Sequence, residues 1–105
     1  MRESRFQSDL IKEIKCLFPQ AIVLKNDAGY LQGIPDLLVL VEDRWAALEV
    51  KASRHSPRQP NQEYYVGLLD GMSFAAFVYP ENKEDVLYDL QQTLQPRRQA
   101  RLSRS

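Results

Sequence analysis

Hydrophobic side chains recur at three- and four-residue spacing near the start of the chain, and this period predicts an amphipathic helix over residues 3–18. Pro19 ends the pattern. A short β-rich run over residues 21–26 predicts a strand, and residues 27–33, which include two glycines, predict a loop. The apolar positions of the helix are Phe6, Leu10, Ile11, Ile14, Leu17 and Phe18.

Two hydrophobic runs separated by a polar turn occupy the middle of the chain. Residues 36–41 are almost all apolar, which is typical of a strand buried on both faces. Residues 42–44 predict a turn and residues 45–51 a second strand, so the two strands should form a hairpin. A loop with two prolines follows over residues 52–60.

Helix and strand alternate in the second half. We predict a helix from about Asn61 to Asp70 with Gly71 as its stop, a strand over residues 73–79 and a final helix over residues 82–94. A crossover helix between two strands favours a parallel pair beside the hairpin. The order α-β-β-β-α-β-α therefore predicts an α/β fold, with a mixed central sheet of about four strands and helices on both faces.

The composition fits one globular domain, with 105 residues, 44% hydrophobic and 27% charged. One cysteine and one histidine exclude an internal disulfide and a Cys/His zinc cluster. No apolar run reaches the roughly 18 residues that span a membrane, and the first ten residues contain no apolar signal region. We expect a protein of a reducing cytoplasm, which includes a phage protein in a host cytoplasm, without a membrane partner.

The charges are unevenly distributed although the formal net charge is zero. Residues 97–105 form a tail with four arginines and no acidic residue, and the domain over residues 1–96 retains 10 basic against 14 acidic residues, a net of −4. This balance argues against binding nucleic acid by bulk charge and favours a local basic groove. The tail is either a phosphate contact or a solvated terminus.

Two polar residues take positions on the apolar faces of predicted helices. Glu3 lies in line with Leu10 and Ile14, and Gln62 precedes Val66 and Leu69 by four and seven residues. A carboxylate facing a core without a partner is costly, so both positions suggest a polar site. Alternatively, Glu3 is a solvated first-turn residue favoured by the helix dipole, and Gln62 satisfies a loop carbonyl.

The hairpin strands bring further polar residues to the same region. Alternation puts Glu49 and Lys51 on one face of the second strand, and Asp36 begins the neighbouring strand directly after Pro35. The hairpin can bring the two carboxylates close together, where they repel unless a proton or cation is shared between them. Carboxylate oxygens without thiolate or imidazole nearby suit Mg²⁺ or Mn²⁺.

The bare spacing P-D-x₁₂-E-x-K is a weak signal. Glu-x-Lys on a strand is usually a surface ion pair, and Pro-Asp is a common turn. The context strengthens it, because both motifs lie at the ends of hydrophobic strands joined by a short turn. A lysine beside such a metal site can hold or activate a water, or stabilise charge that develops on phosphorus.

These residues resemble a known family. The segments Gly33-Ile34-Pro35-Asp36 and Leu48-Glu49-Val50-Lys51, followed by Gln62 and Gly71, resemble the PD-(D/E)XK nuclease superfamily, and within it the VRR-Nuc group. The resemblance implies a restriction-endonuclease-like fold and Mg²⁺- or Mn²⁺-dependent hydrolysis of phosphodiester bonds. Stand-alone members of the group resemble phage Holliday-junction resolvases that act as homodimers on branched DNA.

The resemblance also implies roles for individual residues. Asp36 and Glu49 would ligate the metal together with the backbone carbonyl of Val50, and Glu3 would support the metal. Lys51 would position or deprotonate the attacking water, and Gln62 would orient Lys51 or the water. No small-molecule cofactor is implied.

Basic and polar residues near the predicted site are candidates for DNA contacts. Arg54 and Arg58 lie in the loop after the second hairpin strand, and Lys25 and Asn26 end the first strand. A solvated polar loop is the alternative, and His55 as a general base is disfavoured because Lys51 already fills that role. Beside the nuclease, two other hypotheses stay open: a non-catalytic nucleic-acid-binding or dimerisation module, and a small structural domain.

Overall fold

The structure, a computed structural model, describes residues 2–95, so the basic tail over residues 97–105 lies outside the described part. The predicted order of helices and strands is confirmed, with boundaries that differ by at most two residues. Across the described residues, no helix is both long and apolar enough to cross a membrane. The elements are α1 (Glu3–Leu17), β1 (Ile22–Lys25), β2 (Leu37–Val41), β3 (Arg44–Val50), α2 (Pro60–Met72), β4 (Ala75–Val78) and α3 (Lys83–Leu94).

The four strands form one open mixed sheet in the order β1-β2-β3-β4. Both β1–β2 and β2–β3 are antiparallel, with Leu37 opposite Leu48 in the hairpin. The β3–β4 pair is parallel, with Val50 opposite Val78, and α2 makes the crossover. The predicted α/β class, the hairpin and the added parallel strand are all confirmed.

One face of the sheet carries the main core. Alternate residues of β2 and β3, such as Val39 and Leu48, point towards α1 and α3 and are fully buried. The amphipathic pattern of α1 is confirmed by its three buried residues, Phe6, Leu10 and Ile14. Helices α1 and α3 therefore share this face.

The opposite face of the sheet is only partly covered. Val66 of α2 packs on Ala47 and Ala75, in a small second cluster over β3 and β4. The prediction that β2 is buried on both faces is therefore wrong for its second face, where Leu38 and Leu40 are half-buried. The physical reason is that α2 packs mainly on β3 and β4.

Two local predictions also differ from the structure. Gly71 does not stop α2, which continues to Met72. A glycine stops a helix by adopting positive φ, and Gly33 is the one glycine of the described residues with positive φ. Arg44 already belongs to β3, and its guanidinium donates to the carbonyl of Thr93 at 2.8 Å, so the turn is confined to residues 42–43.

Gly33 fixes the approach of the chain to β2. Its φ is +93°, and a Cβ at this position would lie 2.7–2.8 Å from atoms of Asn61, including a backbone carbon. Only a glycine therefore allows the chain before Asp36 to pack against the first turn of α2.

Substitution of Gly33 tests this close approach. Gly33→Ala should lower the free energy of unfolding by about 2 kcal/mol or more, because positive φ and a backbone contact both oppose a Cβ. Gly67→Ala is the matched control, since no atom lies within 4 Å of its added Cβ. The control should stabilise the helix by about 0.5–1 kcal/mol. Urea unfolding measures both, and equal effects would contradict the prediction.

Candidate active site

Backbone contacts hold Asp36 at the entrance of β2. Pro35 is fully buried, and its carbonyl accepts a hydrogen bond from the side-chain amide of Asn26 at 2.8 Å. The backbone N–H of Asn26 donates to the carbonyl of Asp36, also at 2.8 Å. Asn26 thus anchors the segment that carries Asp36, and its contact with DNA stays a prediction.

The Asp36 carboxylate reaches across to β3. Its Oδ2 accepts a hydrogen bond from the backbone N–H of Val50 at 2.8 Å. Glu49 is the neighbour of Val50 and is only 4% exposed, and its carboxyl group is close enough to Asp36 for the charge of Asp36 to raise the pKa of Glu49. The hairpin thus brings the two carboxyl groups together as its short turn predicted. The hydrogen bond from the backbone N–H of Val50 could not be predicted from the sequence, because almost every residue type has a backbone N–H.

Burial raises the pKa of Glu49 from its ordinary value of 4.5 to about 8. Burial is the largest cause of this rise; the negative charges of Asp36 and, more weakly, Glu3 contribute to it, and the ammonium of Lys51 opposes it. At neutral pH the Glu49 carboxyl group is therefore mostly protonated. A divalent cation bound there would replace that proton.

Gln62 connects Glu49 with Lys51. Its Oε1 accepts from the Lys51 ammonium at 2.8 Å and from the backbone N–H of Gln59 at 3.0 Å. Its Nε2 donates to Oε2 of Glu49 at 3.1 Å. Lys51 is 8% exposed and lies 3.9 Å from the same Glu49 oxygen. The helical position of Gln62 thus has two uses, since the amide caps α2 and also fixes the lysine.

Glu3 lies at the edge of this arrangement. It is exposed in the first turn of α1, and its charge is felt at Glu49. Within residues 2–95, no three acidic, histidine or cysteine side chains form a group that could hold a metal. The structure thus brings together Asp36, Glu49, Lys51 and Gln62, and it places Glu3 near them without joining it to a ligand cluster.

The predicted basic residues are exposed around the site. The Arg58 guanidinium lies 4.0 Å from the ring centroid of Phe77, which is paired with Glu49 across β3 and β4. The backbone N–H of Arg54 donates to Glu81, which holds the loop after β3. Lys25 is exposed at the end of β1. All three side chains are exposed, and their contact with phosphate stays a prediction, as does the disfavoured role of His55.

The donor set fits a hard divalent cation such as Mg²⁺ or Mn²⁺. Asp36 and Glu49 offer carboxylate oxygens, and the nearby ammonium of Lys51 is already engaged by Gln62. Once the proton leaves, two carboxylates stand against the single ammonium of Lys51, so the pair keeps a net negative charge. A divalent cation, held there with the predicted carbonyl of Val50 and with water, would compensate that charge.

Comparison of the chain with protein-family models, with curated proteins and with solved structures found no match. The resemblance to the PD-(D/E)XK nucleases accordingly rests on the motif residues of this chain.

The raised pKa of Glu49 predicts how stability depends on pH. Without metal, the folded chain binds one more proton than the unfolded chain between about pH 4.5 and 8, so the free energy of unfolding should fall as pH rises through this window. Glu49→Gln should flatten the dependence, and Mg²⁺ should restore stability at pH 8. Urea unfolding at several pH values, in buffer with EDTA, measures the metal-free dependence. The control is the variant Glu63→Gln, at an exposed position. A wild-type slope retained in Glu49→Gln would refute the assignment.

Gln62→Leu tests the bridge between the acid and the lysine. It should lower the free energy of unfolding by roughly 1–3 kcal/mol, because the buried Lys51 ammonium loses an acceptor and the helix loses a cap. Gln91→Leu, at an exposed position of α3, should stay within about 0.5 kcal/mol of wild type. Similar losses in the two variants would show that Gln62 makes no special contribution.

Proposed function

We propose that this chain is a divalent-metal-dependent endonuclease that hydrolyses DNA phosphodiester bonds, with the restriction-endonuclease-like fold of the PD-(D/E)XK superfamily. One observation carries the proposal: the half-buried Asp36 lies beside the buried Glu49, and a single glutamine joins Glu49 to the buried Lys51. Burying an acid and an ammonium beside a second carboxyl group costs stability, and such arrangements are characteristic of functional sites.

Each residue has a defined task in this reaction. The cation would supply charge compensation for the scissile phosphate and acidify a bound water. Lys51 is held by Gln62, so its ammonium has a fixed position from which it orients the attacking water or stabilises charge on the phosphate. Glu49 and Asp36 provide the anionic end of the site. Arg54 and Arg58 lie on the exposed rim, where they would contact flanking phosphates.

The substrate and the assembly extend the same proposal. The motif resemblance favours branched DNA, such as a Holliday junction, cut by a homodimer of the VRR-Nuc type. The net charge of −4 over residues 1–96 supports local recognition at the rim rather than binding along a uniformly basic surface. A sequence-specific or nicking endonuclease would use the same four site residues, and only the preferred DNA would differ.

A non-catalytic module on the same fold is the second candidate. It would bind DNA or another chain without cutting, and it would have no need of the lysine–glutamine–glutamate chain. The retention of that chain in a buried position favours the enzyme.

Cleavage of supercoiled plasmid and of linear, nicked, flapped and four-way DNA with Mg²⁺ tests the proposal. Asp36→Asn and Lys51→Gln should each reduce the cleavage rate by about 10²-fold or more, because each removes charge at the reacting phosphate. Asp89→Asn, at an exposed position of α3, should cleave like wild type. EDTA should abolish cutting.

The outcomes separate the candidates. Binding of four-way DNA without cutting at any Mg²⁺ or Mn²⁺ concentration would favour the non-catalytic module. Cutting that survives in both site variants would come from another source and would refute the assigned residues. Circular dichroism of each variant shows whether a lost rate reflects a lost fold.

A further inference from the structure

Tyr30 presents an aromatic ring to solvent on the loop between β1 and β2. The residue is 90% exposed, the largest value among the large hydrophobic residues in the part of the chain that the structure describes. Tyr64 and Tyr88 are each 62% exposed by comparison. A tyrosine this exposed keeps most of its flat ring in water, so the ring is available to stack on a planar ligand.

Local hydrogen bonds fix the backbone that carries Tyr30. The N–H groups of Tyr30 and Leu31 both donate to the carbonyl of Asp27, at 3.1 and 3.4 Å. The Oδ1 of Asp27 accepts from the N–H of Gly29 at 2.8 Å, and the N–H of Ile34 donates to the carbonyl of Leu31 at 3.2 Å. Because the loop is bonded to itself, a ligand would meet a preformed surface and would lose less affinity to ordering the chain.

The loop is anchored to the candidate active site at both of its ends. The N–H of Asn26 donates to the carbonyl of Asp36, and Gly33 packs against Asn61 in the first turn of α2. Tyr30 follows Asn26 by four residues, a separation that spans at most about 14 Å even in a fully extended chain. Neighbouring bases of a DNA strand are about 3.4 Å apart along the duplex. A base on Tyr30 would therefore lie within a few nucleotides of a phosphate at Asp36.

A hollow of about 390 Å³ adjoins Tyr30. Leu31 and Ile34 supply its apolar lining, and Asn26 and Asp27 supply polar side chains. Small-molecule sites in proteins have volumes of about 300–1,000 Å³ and combine apolar walls with a few polar groups. The hollow therefore has the size and the lining of a site for one planar group such as a nucleobase.

The polar groups of the hollow favour a base over a phosphate. The Oδ1 of Asp27 is used by Gly29, which leaves its Oδ2 as an acceptor within residues 2–95. The side-chain nitrogen of Asn26 is used by Pro35, which leaves the amide oxygen as a second acceptor. Both atoms can accept hydrogen bonds from the N–H groups of a base, whereas the carboxylate repels a phosphate. The phosphates of a bound strand would therefore lie outside the hollow.

We propose that Tyr30 and this hollow receive one unpaired base of the bound DNA, beside the candidate active site. The ring stacks on the face of the base, and Asp27 and Asn26 accept from its edge. In a duplex both faces and the Watson–Crick edge of a base are already engaged, so only an unpaired or flipped base fits.

The inference rests on the proposed function and names the feature that the DNA must have. A flap or a bulge offers an unpaired base directly. A four-way junction can keep all of its bases paired, so it must first lose a base pair before a base enters the hollow. We therefore expect flapped and bulged DNA to bind more tightly than a fully paired junction or a linear duplex.

Fluorescence anisotropy of the full chain with labelled DNA, with Ca²⁺ in place of Mg²⁺, tests the role of Tyr30. Tyr30→Ala should weaken binding of a duplex with one bulged base by about 5- to 100-fold, because one base loses its stacking partner. Binding of the paired duplex should change by less than about twofold. Tyr30→Phe should keep the affinity for the bulge, since it keeps the ring. Tyr88→Ala, on α3 at the other side of the sheet, is the matched control and should behave like wild type.

The identity of the bulged base tests the polar groups of the hollow. Guanine offers two neighbouring N–H donors, whereas thymine offers one donor between two carbonyl oxygens, so wild type should bind a bulged guanine more tightly. Asp27→Asn keeps the acceptor for Gly29 and replaces the other oxygen by a donor, so it should narrow this difference. A merely structural role of Asp27 would weaken both bulges equally.

The outcomes separate this inference from the proposed nuclease. Wild type that binds the bulge no more tightly than the paired duplex, or a bulge preference that survives in Tyr30→Ala, would overturn the inference even if Mg²⁺-dependent cleavage is observed. A preference that depends on Tyr30, in a chain that cuts no DNA, would support the inference and refute the nuclease. Circular dichroism of Tyr30→Ala shows whether the variant keeps the fold.

Discussion

Two carboxyl groups share a buried sheet end in this protein, and much of the surrounding structure is arranged around their repulsion. The pKa of Glu49 rises to about 8 because burial and the charge of Asp36 both disfavour its ionised form. The peptide N–H of Val50 and the side-chain amide of Gln62 donate to the two acids, and Lys51 opposes the remaining charge. An apolar pair at these positions would need none of these partners, and this cost is the reason for our proposal that the pair binds a cation.

Few elements of the fold are needed to bring the two acids, the lysine and the glutamine together. The hairpin brings Asp36 against Val50, and the parallel crossover places the N-terminus of α2 over the same strand end. Gly33 allows the chain before β2 to touch Asn61 of α2, so three segments distant in sequence meet within a few ångströms. The glutamine in the first turn of α2 then serves the helix as a cap and the site as a bridge.

The sequence predicted the elements and the central site residues because these follow from period and alternation. Alternation along β3 put the side chains of Glu49 and Lys51 on the face opposite to Leu48. The helical spacing of α2 put Gln62 on the face of the helix that points towards the sheet. The contacts of Asn26 with Pro35 and of Val50 with Asp36 could not be predicted, since backbone groups carry no residue signature. The half-buried second face of β2 could not be predicted either, because a continuous apolar run in the sequence does not show how much of each face a helix covers.

The position of α2 links the site to the exposed surface. Centring the helix on β3 and β4 brings Gln62 over Lys51, but it leaves the β1–β2 half of the same face without a helix. A helix placed centrally would cover the apolar residues of β1 and β2, and it would then move the glutamine away from the lysine. The exposed apolar face is thus the geometric consequence of building the site from a crossover helix.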